Sequence, residues 1–278
     1  MQWIRKRLLI WGTTYPEFSK KYYETVCTGA IDGDTGKLLR IYPVTLRHLE
    51  QRFRHYHWIE ADIARNTSDA RPESYRINQD TIVVKESIPT DGGWIGRREW
   101  VLRPGNAYGS VASLLDAQAA DGTSLGLIKP GRILGVRARK RTDEERAEWI
   151  RQRDKALAIK DLFVDVDAKT RGLVLPGVEY RMRFLCADSA CATEHDMSIL
   201  DWGVYALSRK QYRLRGGPQA ERDVIAQIER SLDMTKRDAY LFLGNSLPHP
   251  RAFMIVGLFY PPIIQPPVTV EPPQLRLL

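Results

Sequence analysis

Short apolar runs bounded by polar, turn-forming clusters pattern the first third of this chain as strands. Ile4–Gly12 carries the run Leu8-Leu-Ile-Trp11 ahead of the turn-forming cluster Gly12-Thr-Thr-Tyr-Pro16, the pattern of a buried strand bounded by a turn. Tyr23–Ile31 and Lys37–Val44 flank Asp32-Gly-Asp-Thr-Gly36, a hairpin signal with Pro43 near a strand end, where a missing donor is tolerated. Thr45–Arg54 places Leu46, Leu49 and Phe53 at helical spacing, and Trp58–Ala64 and Arg76–Ile88 predict further strands.

A longer helical pattern follows over Gly109–Ala120, with Val111, Leu114, Leu115 and Ala119 on one face, stopped by Asp121-Gly122. Ser124–Ala138 reads as strand, turn and strand around Lys129-Pro-Gly131. Thr142–Ala158 opens with a Thr142-x-x-Glu145 capping box and has a thin apolar face, as expected of a solvated connecting helix. Gly172–Leu175 and Val178–Cys186 predict strands, Ser198–Ser208 and Pro218–Leu232 helices, and Ala239–Gly244 with Phe253–Tyr260 a closing hairpin. Strands cluster instead of alternating with long helices, so the expected class is α+β: a β-rich N-terminal half, with a barrel as one way of closing it, packed on a smaller C-terminal α+β half. The expected division is 1–141, a connecting helix over 142–160, an α+β half over 161–260 and a proline-rich tail over 261–278.

The 278 residues, 43% of them apolar and 27% charged, suit a globular fold with a sizeable core. No apolar run reaches the roughly eighteen residues of a membrane span. No signal-peptide pattern opens the chain, and three cysteines are too few for a disulfide framework. The expectation is a cytoplasmic protein with no membrane partner. A net charge of +8 points toward polyanions, nucleic acid or nucleotide, because neutralising phosphates releases counterions.

Two cysteines and a histidine fall within the ten residues Cys186-Ala-Asp-Ser-Ala-Cys191-Ala-Thr-Glu-His195. Thiolate and imidazole are preferred ligands of zinc and of iron–sulfur clusters. The spacing, Cys-x4-Cys-x3-His, departs from the Cys-x2-Cys of zinc knuckles. Cys27, the remaining cysteine, would complete a Cys3His site and tie the two halves together; Asp188, Asp201 and His249 are other candidates for a fourth ligand. Zinc is the favoured metal and an iron–sulfur cluster the alternative. Without metal, Cys186 is a buried thiol and Cys191 a loop residue.

Basic residues cluster at Arg132, Arg137, Arg139, Lys140 and Arg141, with Arg52 and Arg54 among the aromatics Phe53, Tyr56 and Trp58, and later at Arg209-Lys210-Gln-Tyr212-Arg213-Leu-Arg215. Arginine beside aromatics suits phosphate contacts and base stacking; pairing with the 34 acidic residues is the competing explanation. Asp165 and Asp167 share a strand face, His55 and His57 another, and Thr13–Glu17 and Arg71–Tyr75 are polar turns suited to lining a cleft. No Walker loop, Gly-x-Gly-x-x-Gly or Gly-x-Ser-x-Gly is present. The expected function is a metal-containing nucleic-acid-binding protein. The alternatives are an iron–sulfur or open-metal enzyme acting on a nucleotide or nucleic acid, and a scaffold subunit docking a protein partner through its proline-rich tail.

Overall fold

The computed structural model describes residues 2–19, 23–45, 54–160, 175 and 177–264. Strand β1 (Ile4–Thr13) explains much of the architecture. Its residues Leu8 to Trp11 are buried on both faces, which is why the run lacks a polar alternation. Leu8 and Ile10 point into one core with Val26, Ile41, Ile59 and Ile63. Leu9 and Trp11 point the other way, into a seam with Leu127, Phe242 and Val256.

β1 pairs antiparallel with both β3 (Tyr23–Asp32) and β5 (His57–Arg65), through Leu8↔Asp32 and Ile4↔Ile63. With β4 (Leu38–Val44) and β6 (Ser74–Ser87), these strands form a closed five-stranded barrel, to which β2 (Glu17–Ser19) adds at the edge of β3. The turn Asp32–Gly36 joins β3 to β4, and Gly36 takes the left-handed φ of +72° that the turn requires. The barrel-like N-terminal part of an α+β fold is therefore present. Thr45–Arg54, expected as a helix, lies almost wholly outside the described residues.

Helix α1 (Asp91–Val101) follows the barrel. The sequence predicts no element there, because Gly92-Gly93 obscures any helical pattern; both glycines and Trp94 have positive φ. Then come β7 (Ala107–Tyr108) and α2 (Val111–Asp121), which is N-capped by Ser110, whose hydroxyl accepts from Ser113 N at 3.1 Å. β8 (Leu125–Ile128) and β9 (Pro130–Lys140) fall within the first 141 residues, yet they pair forward in the chain. β8 joins β12 (Tyr240–Ser246), β13 (His249–Phe259) and β7, and β9 joins β10 (Val178–Cys186) and β11 (His195–Ser198). The capping box of α3 (Asp143–Lys160) forms: Glu145 N donates to Thr142 Oγ1 and Thr142 N to Glu145 Oε2.

α4 (Trp202–Arg215) and α5 (Gly217–Ser231) cover the inner face of the β9–β11 sheet, burying Val204, Val224 and Ile228 against Tyr180, Met182 and Phe184. The expected helix start at Ser198 moves to Trp202, because Ser198 ends β11 and Asp201 supplies the cap. The two parts meet where the Trp11 ring stacks on Phe242 at 3.9 Å. Gly29 and Gly257 make room for that ring: a Cβ at Gly29 would fall 2.1 Å from it. Gly172–Leu175 lies outside the described residues apart from Leu175. The first tail residues, Pro261–Ile264, run beside the Asp233–Asp238 turn, with Pro262 O accepting from Arg98 Nη2 at 2.7 Å and Asp238 N donating to Pro261 O. The rest of the tail lies outside the described residues.

Candidate functional site

Antiparallel pairing brings the Cys186–His195 segment together. Cys186 is the last residue of β10, and His195 the first of β11, where it pairs with Phe184. The intervening turn is held by Asp188, whose carbonyl accepts from Cys191 N at 3.0 Å and whose Oδ1 accepts from Ala190 N at 2.9 Å. As a result, His195 Nε2 lies 3.4 Å from both Cys186 Sγ and Cys191 Sγ. The three ligand atoms lie within 4.8 Å of one another. Tetrahedral zinc, with bonds of about 2.3 Å to sulfur and about 2.0 Å to nitrogen, would set its sulfur and nitrogen donors about 3.5 Å apart. The arrangement fits a single metal ion.

Its surroundings are largely apolar, with one backbone N–H aimed at a sulfur. Val111 N, at the start of α2, donates to Cys186 Sγ at 3.4 Å. Cys186 and Cys191 are 7% and 9% exposed, and the Phe184 ring packs 5.2 Å from the imidazole. Burial pushes the Cys186 thiol up to about 11, opposed by the Val111 N–H, and pushes His195 down. Without a cation, both groups therefore prefer their neutral forms; a metal ion would replace the thiol protons. Gly131 lies against the Cys186 carbonyl, where a Cβ would approach to 2.6 Å. Only glycine lets β9 and β10 close there.

Cys27, expected as a fourth ligand, does not join this group. It lies on β3 between Val26 and Thr28, opposite a bulge of β4 at Tyr42-Pro43, and its sulfur accepts from Arg40 Nη1 at 3.6 Å. The reason is topological: β3 is fixed by barrel closure, whereas β10 belongs to another sheet. The halves are joined by the Trp11 seam, not by a shared metal. Asp201 Oδ1 accepts from Val204 N at 3.0 Å as the cap of α4, His249 is exposed at the start of β13, and Asp188 is outside the converging group. His55 lies beside Thr13 Oγ1, and neither it nor His57 belongs to the group. Asp165 and Asp167 lie outside the described residues.

The basic residues divide. Arg137 pairs with Asp196 at 2.5 Å, and Arg139 bridges Glu145 and Glu179 at 2.7 Å each. Arg132 and Lys140 are exposed and have no carboxylate partner among the described residues. Arg141 turns inward, lining a small cavity with Tyr15 and Glu179, and its Nε is buried with no hydrogen-bond partner among the described residues. Arg54 is exposed, while Arg52 lies outside the described residues. On α4, Arg209, Lys210 and Arg213 are exposed and have no carboxylate partner among the described residues, unlike Arg215, which approaches Asp223 at 4.0 Å.

The polar turns at Thr13–Glu17 and Arg71–Tyr75 contribute to one cleft. Thr14 and Arg71 both line a cavity of about 750 Å³ between the barrel and the β12–β13 hairpin. Cys27 and Arg40 line it too. Sequence reasoning misses Arg40 as a site residue; the available signal is a lone arginine inside the apolar strand Leu38-Leu-Arg-Ile41.

No helix among the described residues is long and apolar enough to cross a membrane. Comparison with curated proteins finds no match. Residues 4–103, the barrel and α1, match the family described as Domain of unknown function (DUF8758). Residues 107–277, which include all three converging donors, match the family described as Domain of unknown function (DUF8757). That second match takes in more than half of the chain, which belongs to the DUF8757 family.

Proposed function

We propose that this chain is a zinc-braced nucleic-acid-binding protein, in which Cys186, Cys191 and His195 hold one zinc ion with water in the fourth position. The observation that carries the reading is the convergence of the three donors at the separations one zinc ion requires. An iron–sulfur cluster is disfavoured, because its ligands bind different irons and stand farther apart, and because Cys27 lies elsewhere.

The brace acts on the segment C-terminal to it. His195 opens β11, and three residues after β11 the Asp201 cap starts α4. Holding His195 fixes the strand that delivers α4. The outer face of α4 presents Arg209, Lys210 and Arg213 to solvent, free to meet phosphates. This helix, with Arg132 and Lys140 as further unpaired cations, replaces Arg137 and Arg139 as the expected contact surface, because those two are neutralised by carboxylates.

Three protein donors are also the number at a catalytic zinc with an open position. Two observations favour the brace. Both cysteines are nearly buried, and Glu194, the carboxylate next to His195, is held by Arg183 instead of being free for proton transfer. The test is the variant Arg209→Ala/Lys210→Ala/Arg213→Ala with duplex and single-stranded oligonucleotides. Each lost phosphate contact should flatten the slope of log K against log salt by about 0.9 on duplex DNA. Unchanged affinity and slope would refute the α4 surface.

A further inference from the structure

The cavity between the barrel and the β12–β13 hairpin gathers positive charge in a place where charge is costly to hold. Three of its lining residues are arginines (Arg40, Arg71 and Arg76) and one is a carboxylate, Asp69. Asp69 belongs to Arg71: it accepts from Nη2 at 2.6 Å and from Nε at 2.9 Å, and these bonds, with one from Ser74, hold its carboxyl well below the usual range against the opposing effect of burial. Arg76 is bonded to neutral groups, Asn66 Oδ1 and Ser68 Oγ.

Arg40 is the informative residue. It is only 6% exposed and makes no ion pair among the described residues. Its Nη2 donates to Ser124 O at 3.2 Å and its Nη1 to the Cys27 sulfur, while its Nε is buried with no hydrogen-bond partner among the described residues. Glu73 directly precedes the neighbouring strand β6, and its carbonyl accepts from Arg40 N at 2.9 Å; its carboxylate is bonded through both oxygens to Ser124, which also accepts from Arg40, and makes no direct ion pair with the guanidinium. A buried guanidinium with an unsatisfied donor is expensive unless an anion meets it.

We propose that this cavity binds a phosphate monoester of mononucleotide size, with Arg40 and Arg76 as its counter-ions. Two guanidiniums that make no direct ion pair among the described residues match the charge of a phosphate monoester, about −1.5 to −2 at pH 7, better than that of a single carboxylate. Arginine's forked donors suit phosphate oxygens. The volume, about 750 Å³, lies within the range of small-molecule pockets and leaves room beyond a phosphate group. That room is lined by Leu200, Met254 and Val256, which suit an apolar or aromatic body. No metal-turn donor and no α4 residue lines this cavity, so the inference is independent of the zinc brace and of the α4 surface.

The test uses the full-length protein and calorimetric titration with AMP, UMP, inorganic phosphate, adenosine and uridine. Cys27 provides a second readout: ligand in the cavity should slow its alkylation, followed by mass spectrometry, with Cys186 and Cys191 as internal controls. AMP or UMP should bind and protect Cys27, whereas the nucleosides should do neither. Arg40→Met should weaken binding roughly 10- to 100-fold, the cost of a charged hydrogen bond. Because Arg40 is buried, Arg76→Ala serves as the variant whose fold is secure, and it should weaken binding roughly tenfold. Inorganic phosphate binding as tightly as AMP would support the phosphate site and assign it to the free ion. Failure of every phosphate compound to bind at millimolar concentration would overturn the proposal. So would nucleosides binding as well as their monophosphates, or unchanged binding in Arg76→Ala.

Discussion

The metal turn and the arginine-lined cavity differ in charge and in the length of chain that builds them. The turn draws its donors from ten consecutive residues folded by one pair of strands, and burial favours the neutral forms of Cys186 and His195. The cavity draws Arg40 from β4, Arg71 and Arg76 from the start of β6 and the turn before it, and Asn245 from β12, and it holds cations. The first is set by local geometry. The second exists only once the barrel has closed and docked on the C-terminal sheet. A lesion in the seam should therefore damage the cavity more than the turn, and a lesion in the turn should spare the cavity.

The largest effect expected is at the seam. Gly29→Ala puts a Cβ 2.1 Å from the Trp11 ring, which is buried and stacked on Phe242. It should cost about 3 kcal/mol, the upper end of overpacking penalties, measured by urea denaturation. Phosphate-ester binding should be lost before zinc content falls. Equal loss of both would break the distinction between the two regions.

Next is Cys191→Ser. Removing one of three donors should weaken zinc binding by more than the roughly 10- to 100-fold typical of lost supporting contacts, measured by competition with a chromophoric chelator. Alkylation of Cys27 should be unchanged. A Cys27 that becomes more reactive would show that the turn and the cavity are coupled.

A pH dependence arises from the buried donors. In the metal-free protein, burial holds His195 below its ordinary value and raises Cys186 to about 11. The unfolded chain takes up the His195 proton below about pH 6.5 and releases the Cys186 proton above about pH 8.5. The contribution of these two groups to stability is thus greatest between those values, falling on the acid side through His195 and on the alkaline side, up to about 11, through Cys186. Zinc fixes the thiolate, so loading should remove the alkaline loss. Melting temperatures of chelated and zinc-loaded protein from pH 6 to 10 check this, and parallel curves above pH 8.5 would contradict it.

The smallest effect is at the cap of α2. Ser110→Ala should cost about 1 kcal/mol and weaken metal binding only through the adjoining Val111 N–H to Cys186 bond. A larger loss of zinc affinity than of stability would show that this N–H···S bond matters to the metal more than the cap does to the fold.

Legibility in the sequence divides along the same line. The donors at Cys186, Cys191 and His195 are readable because a strand, a tight turn and a returning strand need no distant partner. Cys27 is misplaced by sequence reasoning because its position depends on β1 pairing with both β3 and β5, which residue spacing does not encode. Arg137 and Arg139 look like a free basic patch because their neutralising partners, Asp196, Glu179 and Glu145, arrive through sheet pairing and helix packing. The polar turns at Thr13–Glu17 and Arg71–Tyr75 are visible as cleft-lining segments, whereas Arg40 is hidden inside an apolar strand. The barrel-like N-terminal part is visible in the strand runs of the first ninety residues. α1 is not, because its opening glycines carry no helical pattern.

Metal content bears most directly on the central claim. The full-length protein, purified aerobically and anaerobically, should carry close to one zinc ion per chain in both preparations by elemental analysis, and Cys191→Ser should carry almost none. Iron in a brown anaerobic preparation, or neither metal near one per chain in either preparation, would contradict the zinc brace.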